Sequence, residues 1–157
     1  MKQFVAACSI FLGSASFAWS AAHARAHYVL SPSNTSFTAS GIMLYTTPEG
    51  DLQCTWTLTG LTNAKGGGKI THFSATGSPT CDSIKGMHKW PVKTVNSANL
   101  VIEKMMITIP GIITCGPGDF YMNDNGSGTW LSGPTNFNCS FGGSMATTPP
   151  ITIQYVP

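Results

Sequence analysis

The strongest constraint on this chain is a two-residue rhythm in its apolar side chains. In Gln53-Cys54-Thr55-Trp56-Thr57-Leu58-Thr59, Cys54, Trp56 and Leu58 share one face, while Gln53 and three threonines share the other. Successive side chains of a strand point to opposite faces, so this segment reads as a half-buried strand. Ile151-Thr152-Ile153-Gln154-Tyr155 and Phe137-Asn138-Cys139-Ser140-Phe141 alternate in the same way. Over residues 100–109, Val101, Met105, Ile107 and Ile109 keep one register that Glu103 breaks, which predicts a bulge or an edge there.

Turn residues punctuate these runs. Pro48-Glu49-Gly50-Asp51 predicts a turn, Gly66-Gly67-Gly68 a loose loop and Gly116-Pro117-Gly118 a tight turn. Asn125-Gly126 predicts a hairpin of type I′, whose two central residues need positive φ. The best helical candidate, residues 81–88, is a turn or two at most. The expected fold is therefore all-β: an antiparallel β-sandwich, or a barrel-like closure of the same strands, in a single domain over residues 27–157.

The first 26 residues read as an address rather than as structure. Lys2 precedes an apolar run to Leu12 and a string of small residues, and Ala22-His23-Ala24 or Ala24-Arg25-Ala26 offers a cleavage site. That is the layout of a secretory signal peptide. Gly13, Ser14, Ser16 and Ser20 dilute the stretch too much for a membrane anchor of about 20 apolar residues. The product is expected to be secreted, with an extracellular destination favoured over a periplasmic one.

Four cysteines remain after residue 26: Cys54, Cys81, Cys115 and Cys139, an even number in an exported chain. Gaps of 26, 33 and 23 residues suit disulfides and not a metal site, which wants a close cysteine pair. Three pairings are open to the sequence. The expected one, Cys54–Cys81 with Cys115–Cys139, closes two local loops of similar size.

From residue 27 onward six Lys balance six acidic residues, and Thr, Ser, Asn and Gly make up 55 of 131 residues. Nucleic acid is excluded as a partner, because it requires a basic patch or stripe. Charges on edge strands normally guard against edge-to-edge pairing, and their scarcity here points to self-association or adsorption to surfaces. Trp90, Met105, Met106, Trp130 and Leu131 are the candidate apolar surface, since adjacent apolar residues on a strand face opposite ways.

Little in the chain suggests catalysis. No Gly-x-Ser-x-Gly, His-Glu-x-x-His, phosphate loop or dinucleotide fingerprint occurs. His72 shares a face with Ile70 in a candidate strand, and His88 sits among lysines. Asn123-Asp124-Asn125-Gly126 carries calcium-like oxygens but reads as a hairpin tip. Sequons begin at Asn34, Asn125 and Asn138. The expectation is no catalytic residue, no metal and no cofactor.

Taken in order, the motifs form a recognisable set. They run Ser31-Pro32, Phe37-Thr38-Ala39-Ser40-Gly41, Gln53-Cys54-Thr55, Leu58-Thr59-Gly60, Ser78-Pro79-Thr80-Cys81, Trp90-Pro91, Cys115-Gly116-Pro117-Gly118, Cys139-Ser140-Phe141-Gly142-Gly143-Ser144 and Thr147-Thr148-Pro149-Pro150-Ile151-Thr152-Ile153. Over roughly residues 31–153 the chain resembles the alkane oxidation protein activator family, the PraA/PraB-like exported proteins of hydrocarbon-degrading bacteria. The resemblance implies a non-enzymatic extracellular protein that promotes growth on long-chain alkanes by dispersing or presenting the insoluble substrate. An apolar surface or interface is then the expected partner, with peripheral contact at the cell's outer surface. The alternative is a structural subunit of an extracellular matrix or filament, joined through strand edges, with residues 28–31 and 151–156 as exchanged strands.

Overall fold

The computed structural model describes residues 27–47, 50–87, 89–135 and 139–157. The expected signal peptide over residues 1–26 lies outside the described residues, as do His88 and Asn138. The elements run β1 (His27–Ser31), β2 (Ser36–Thr47), β3 (Gly50–Thr62), β4 (Gly68–Thr76), α1 (Pro79–Ser83), β5 (Lys85–Gly86) and β6 (Trp90–Thr94). They continue with β7 (Asn99–Ile109), β8 (Ile113–Asp124), β9 (Thr129–Thr135), β10 (Phe141–Thr148) and β11 (Thr152–Val156).

Strands β2, β3, β4, β6, β7, β8, β9 and β10 pair antiparallel, each with the next, and β10 pairs back with β2. The result is a closed up-and-down barrel of eight strands. Of the two expected architectures, sandwich and barrel-like closure, the second is the one found, and the reason is physical. Alternation puts one face of each strand inside in either architecture, whereas closure rests on the long-range β2–β10 pairing, in which Phe141 faces Tyr45. Glycines permit that approach: a Cβ on Gly41 would strike the Ser144 carbonyl oxygen, and one on Gly143 the Ile42 carbonyl oxygen.

An eight-stranded barrel has an interior just wide enough for side chains to fill. Here Trp90, Phe73, Trp56 and Phe141 form a continuous aromatic line, with ring centroids 5.8, 5.2 and 5.0 Å apart. Tyr45 and Phe120 pack on Phe141 at 5.2 and 6.1 Å, and Phe37 packs edge-on to Trp130 at 5.6 Å. Burial pushes the Tyr45 hydroxyl above the ordinary tyrosine range. The Trp130 indole N–H donates to the Ile151 carbonyl oxygen at 3.1 Å. That of Trp90 meets no acceptor among the described residues.

Strands β1 and β11 stand outside the barrel as a two-stranded ribbon, with His27 opposite Val156 and Leu30 opposite Ile153. Two buried hydroxyls latch the flanking chain to the barrel. Thr62 Oγ1 donates to the Pro32 carbonyl oxygen (2.7 Å) and accepts from the Thr35 amide (2.9 Å). Thr147 Oγ1 donates to the Gly128 carbonyl oxygen and accepts from the Ile151 amide, both at 2.8 Å.

Local expectations are met unevenly. A bulge does fall at Glu103: the register shifts between Ile102 and Met105, and Lys104 adopts φ 54°. Because of that shift Leu100 and Ile102, rather than Val101, share the inner face with Met105, Ile107 and Ile109. Gly116-Pro117-Gly118 is not a turn. It lies inside β8, where a Cβ on Gly116 would hit the Met105 carbonyl oxygen, and the β7–β8 turn is made by Gly111 (φ 77°) instead. The 124–129 hairpin forms, but with a longer loop than type I′, and positive φ falls on Gly126 and Gly128. Asn125 Oδ1 organises that loop by accepting from the Ser127 amide (3.0 Å) and hydroxyl (2.7 Å). Helix α1 is shorter than residues 81–88 and starts earlier, because Ser78 caps it at the Cys81 amide and Pro79 opens its first turn.

The disulfides join Cys54 to Cys81 and Cys115 to Cys139, spanning 27 and 24 residues of sequence. The first ties α1 to β3, and the second ties β8 to the segment entering β10. Loops of these sizes limit the unfolded chain by about 3–4 kcal/mol each on the chain-entropy account. Replacing either pair with alanines is expected to lower unfolding free energy by about that amount in urea titrations, with the far-ultraviolet circular dichroism of the folded state unchanged.

Candidate functional site: an uncharged outer face

Filling the lumen with aromatic rings leaves the outer wall as the place where the protein meets other molecules. Strands β3, β2, β10 and β9 stand side by side in that wall. Together they contain one charged residue, Asp51, near the start of β3. On the outer side Thr38 pairs with Thr59, Ser40 with Thr57, Ile42 with Thr55 and Leu44 with Gln53. The Ser40 and Thr57 hydroxyls are 3.3 Å apart and hydrogen-bonded. Threonine suits these positions because its branched side chain packs on a pleated, half-covered surface.

Three large apolar side chains interrupt this hydroxyl lattice. Ile42 is 52% exposed, Leu44 46% and Leu131 46%. Leu44 lies beside Gly142 and Leu131 beside Ser144, and continuing the β2–β10 register sets Ser144 beside Ile42. The three therefore cluster with only glycine and serine between them. A Cβ on Gly142 would meet nothing within 4 Å, so the gap is open to solvent. Met43, Trp130 and Met145, all buried on the inner side of the same strands, hold this stretch of wall rigid.

Charge is collected on the opposite half of the barrel. Lys69 on β4, Lys93 on β6, Glu103 and Lys104 on β7 and Asp119 on β8 are there, with Asp82 and Lys85 nearby. Lys93 Nζ and Glu103 Oε1 form an ion pair at 2.7 Å. Exposed pairs of this kind stabilise a fold only slightly. The segregation of charge thus acts on what each half can touch.

The expected apolar surface is corrected by these positions. Trp90, Met105 and Trp130 are 2%, 0% and 0% exposed, because alternation turns each of them into the lumen. Met106 is half-buried on the outside of β7, in the charged half. Leu131 alone of the five stands on the uncharged face. Ile42 and Leu44 join it there, because alternation in Ile42-Met43-Leu44-Tyr45 turns that pair outward once Met43 and Tyr45 face in.

The polar candidates are dispersed. His27 opens β1, and His72 lies on the outer side of β4. A bulge pairs Thr59 with His72 but Gly60 with Ile70, so His72 and Ile70 face opposite ways, contrary to the expected shared face. The calcium-like oxygens at the hairpin serve the fold. Asp124 accepts from the Gly126 amide (3.0 Å) and the Ile153 amide (2.7 Å). Among the described residues no three His, Cys, Asp or Glu side chains gather as metal ligands. Nor is any helix among them long and apolar enough to cross a membrane.

These features define a class: a small all-β barrel, braced by two disulfides, with a solid lumen and one uncharged wall. Disulfides of this kind belong to an oxidising, non-cytoplasmic environment. The chain belongs to the alkane oxidation protein activator PraA/PraB-like family, whose model matches residues 1–155 of the 157. The family's description links it to the activation of alkane oxidation. No curated protein and no solved structure matches the chain.

The inner and outer apolar residues should behave in opposite ways on truncation. Leu44→Ser is expected to change unfolding free energy by about 0.5 kcal/mol or less. Trp56→Ala, which opens the centre of the aromatic line, is expected to cost about 3–5 kcal/mol. Thermal unfolding of the two purified variants checks both.

Proposed function

We propose that this is a secreted, non-enzymatic protein that promotes alkane utilisation by lying with its uncharged wall against hydrocarbon or another apolar surface. The carrying observation is the segregation of charge, with Ile42, Leu44 and Leu131 exposed on the half whose strands carry Asp51 alone. Burying apolar area yields about 25 cal/mol per Å², so a footprint of about 400 Å² supplies on the order of 10 kcal/mol before costs. The hydroxyls around the patch lose less on leaving water than lysine or glutamate would, since a charge without a partner is far more costly to desolvate. The cross-linked barrel keeps its shape at the interface, and the lysine-bearing half stays in water.

Purified mature protein should lower hexadecane–water interfacial tension further than a β-protein of equal size and ordinary charge. Ile42→Lys, Leu44→Lys and Leu131→Lys together should remove that excess, whereas Lys69→Gln with Lys104→Gln should not. Equal tension for the wild type and the comparison protein would end this reading.

A second reading, a subunit of an extracellular matrix or filament, rests on the ribbon. Among the described residues each of the eight barrel strands pairs with a neighbour on both sides, which leaves the short β5 as the edge beside them. The ends expected to be exchanged, residues 28–31 and 151–156, pair with each other within one chain, leaving Tyr28, Tyr155 and Val156 exposed. Exchange of β1 between copies would form the same pairing intermolecularly. Size-exclusion chromatography and electron microscopy at micromolar concentration should then show multimers, and a strictly monomeric protein would exclude it.

A further inference from the structure

A cleft of about 530 Å³ on the charged half plays no part in the interfacial reading above. It lies where the ribbon meets the barrel, between β1, the β3–β4 turn and β6. Its walls are tied together. Leu30 donates its amide to the Gly66 carbonyl oxygen at 2.7 Å, and Thr94 Oγ1 donates to the Tyr28 carbonyl oxygen at 2.7 Å. The turn is pressed flat between them, since a Cβ on Gly66 would strike the Val29 side chain and one on Gly67 the Val92 carbonyl oxygen.

The lining has one sign of charge. Lys65 and Lys93 contribute to it, and no Asp or Glu does. Lys93 gives one N–H to Glu103 and keeps two more to donate. Asn63 Oδ1 accepts from the Lys65 amide (2.8 Å) and the Gly67 amide (3.3 Å), which fixes its side chain with the NH₂ group as the remaining donor. The cleft is thus lined by donors of the kind that carboxylates and phosphates accept from. Beside them stand the ring of Tyr28, 36% exposed, and the apolar edge of Pro91. The volume lies within the range of about 300–1,000 Å³ usual for small-molecule sites.

We propose that this cleft binds an acidic saccharide, with the sugar ring against Tyr28 and its carboxylate or phosphate taken by Lys65 and Lys93. Two sources share that chemistry, a uronic acid and a phosphorylated sugar, and the probes separate them. The site stands apart from the uncharged wall, so it is tested without any alkane.

The experiment is a backbone-amide NMR titration of the folded mature protein with trigalacturonate, glucose 1-phosphate, neutral maltotriose and inorganic phosphate. Trigalacturonate or glucose 1-phosphate should shift the amides of residues 63–68 and 92–94 at millimolar concentration, and added salt should weaken the effect. The more strongly bound of the two identifies the source. Lys65→Gln with Lys93→Gln should weaken binding by about tenfold or more, equivalent to roughly 1.4 kcal/mol. Lys85→Gln with Lys104→Gln, on the same half but outside the cleft, should leave it unchanged. The proposal fails if neither acidic sugar shifts those amides, if maltotriose or inorganic phosphate shifts them equally, or if the cleft variant binds as the wild type does. Unshifted amides elsewhere in each variant establish that it is folded.

Discussion

Ring-on-ring packing inside the lumen is the interaction on which everything else in this molecule depends. A closed eight-stranded wall encloses a volume that must be filled, and here Trp56 sits between Phe73 and Phe141 at the centre of that volume. Aromatic pairs at these separations add about 0.5–1.5 kcal/mol each beyond the area they bury. They fill the space that an eight-stranded wall encloses. The strand ladders, the aliphatic side chains packed among the rings, two disulfides and the hydroxyl latches of Thr62 and Thr147 complete the framework.

A solid lumen also decides where function can reside. Barrels that carry a ligand leave interior space for it, whereas this one spends its interior on its own side chains and faces the world with its skin. Transmembrane barrels turn apolar residues outward and polar ones inward; the reverse holds here, with Leu58 and Ile102 inside and Thr57 and Glu103 outside. The outer skin is divided into a wall of hydroxyls with a small aliphatic cluster and a wall bearing lysines and carboxylates. Each half presents a different solvent preference from a single rigid body.

Much of this was legible in the sequence because it is local. The alternation of Cys54, Trp56 and Leu58 predicted a half-buried strand, and those residues line the lumen. Glu103 marked a real bulge for the reason expected, a polar residue in an apolar register. What could not be read was non-local. Closure depends on β10 finding β2, some hundred residues away, and no periodicity encodes that pairing. Parity implies that one member of each adjacent apolar pair faces out without saying which: Met105 and Trp130 turn inward, while Met106 and Leu131 lie on the outside. Parity is also what exposes Ile42 and Leu44. His72 escaped a parity argument because Thr71 is the extra residue of a bulge, and each bulge resets the count.

The ribbon has a geometric consequence of its own. Pairing of His27 with Val156 brings the start of β1 and the end of β11 onto neighbouring strands at one pole of the barrel, within about 5 Å at the Cα atoms. Segments leading into His27 and out of Val156 therefore leave the barrel from the same spot. A linker of a few residues joining those two positions could even close the barrel's backbone into a ring, with new ends opened at the 124–129 hairpin tip.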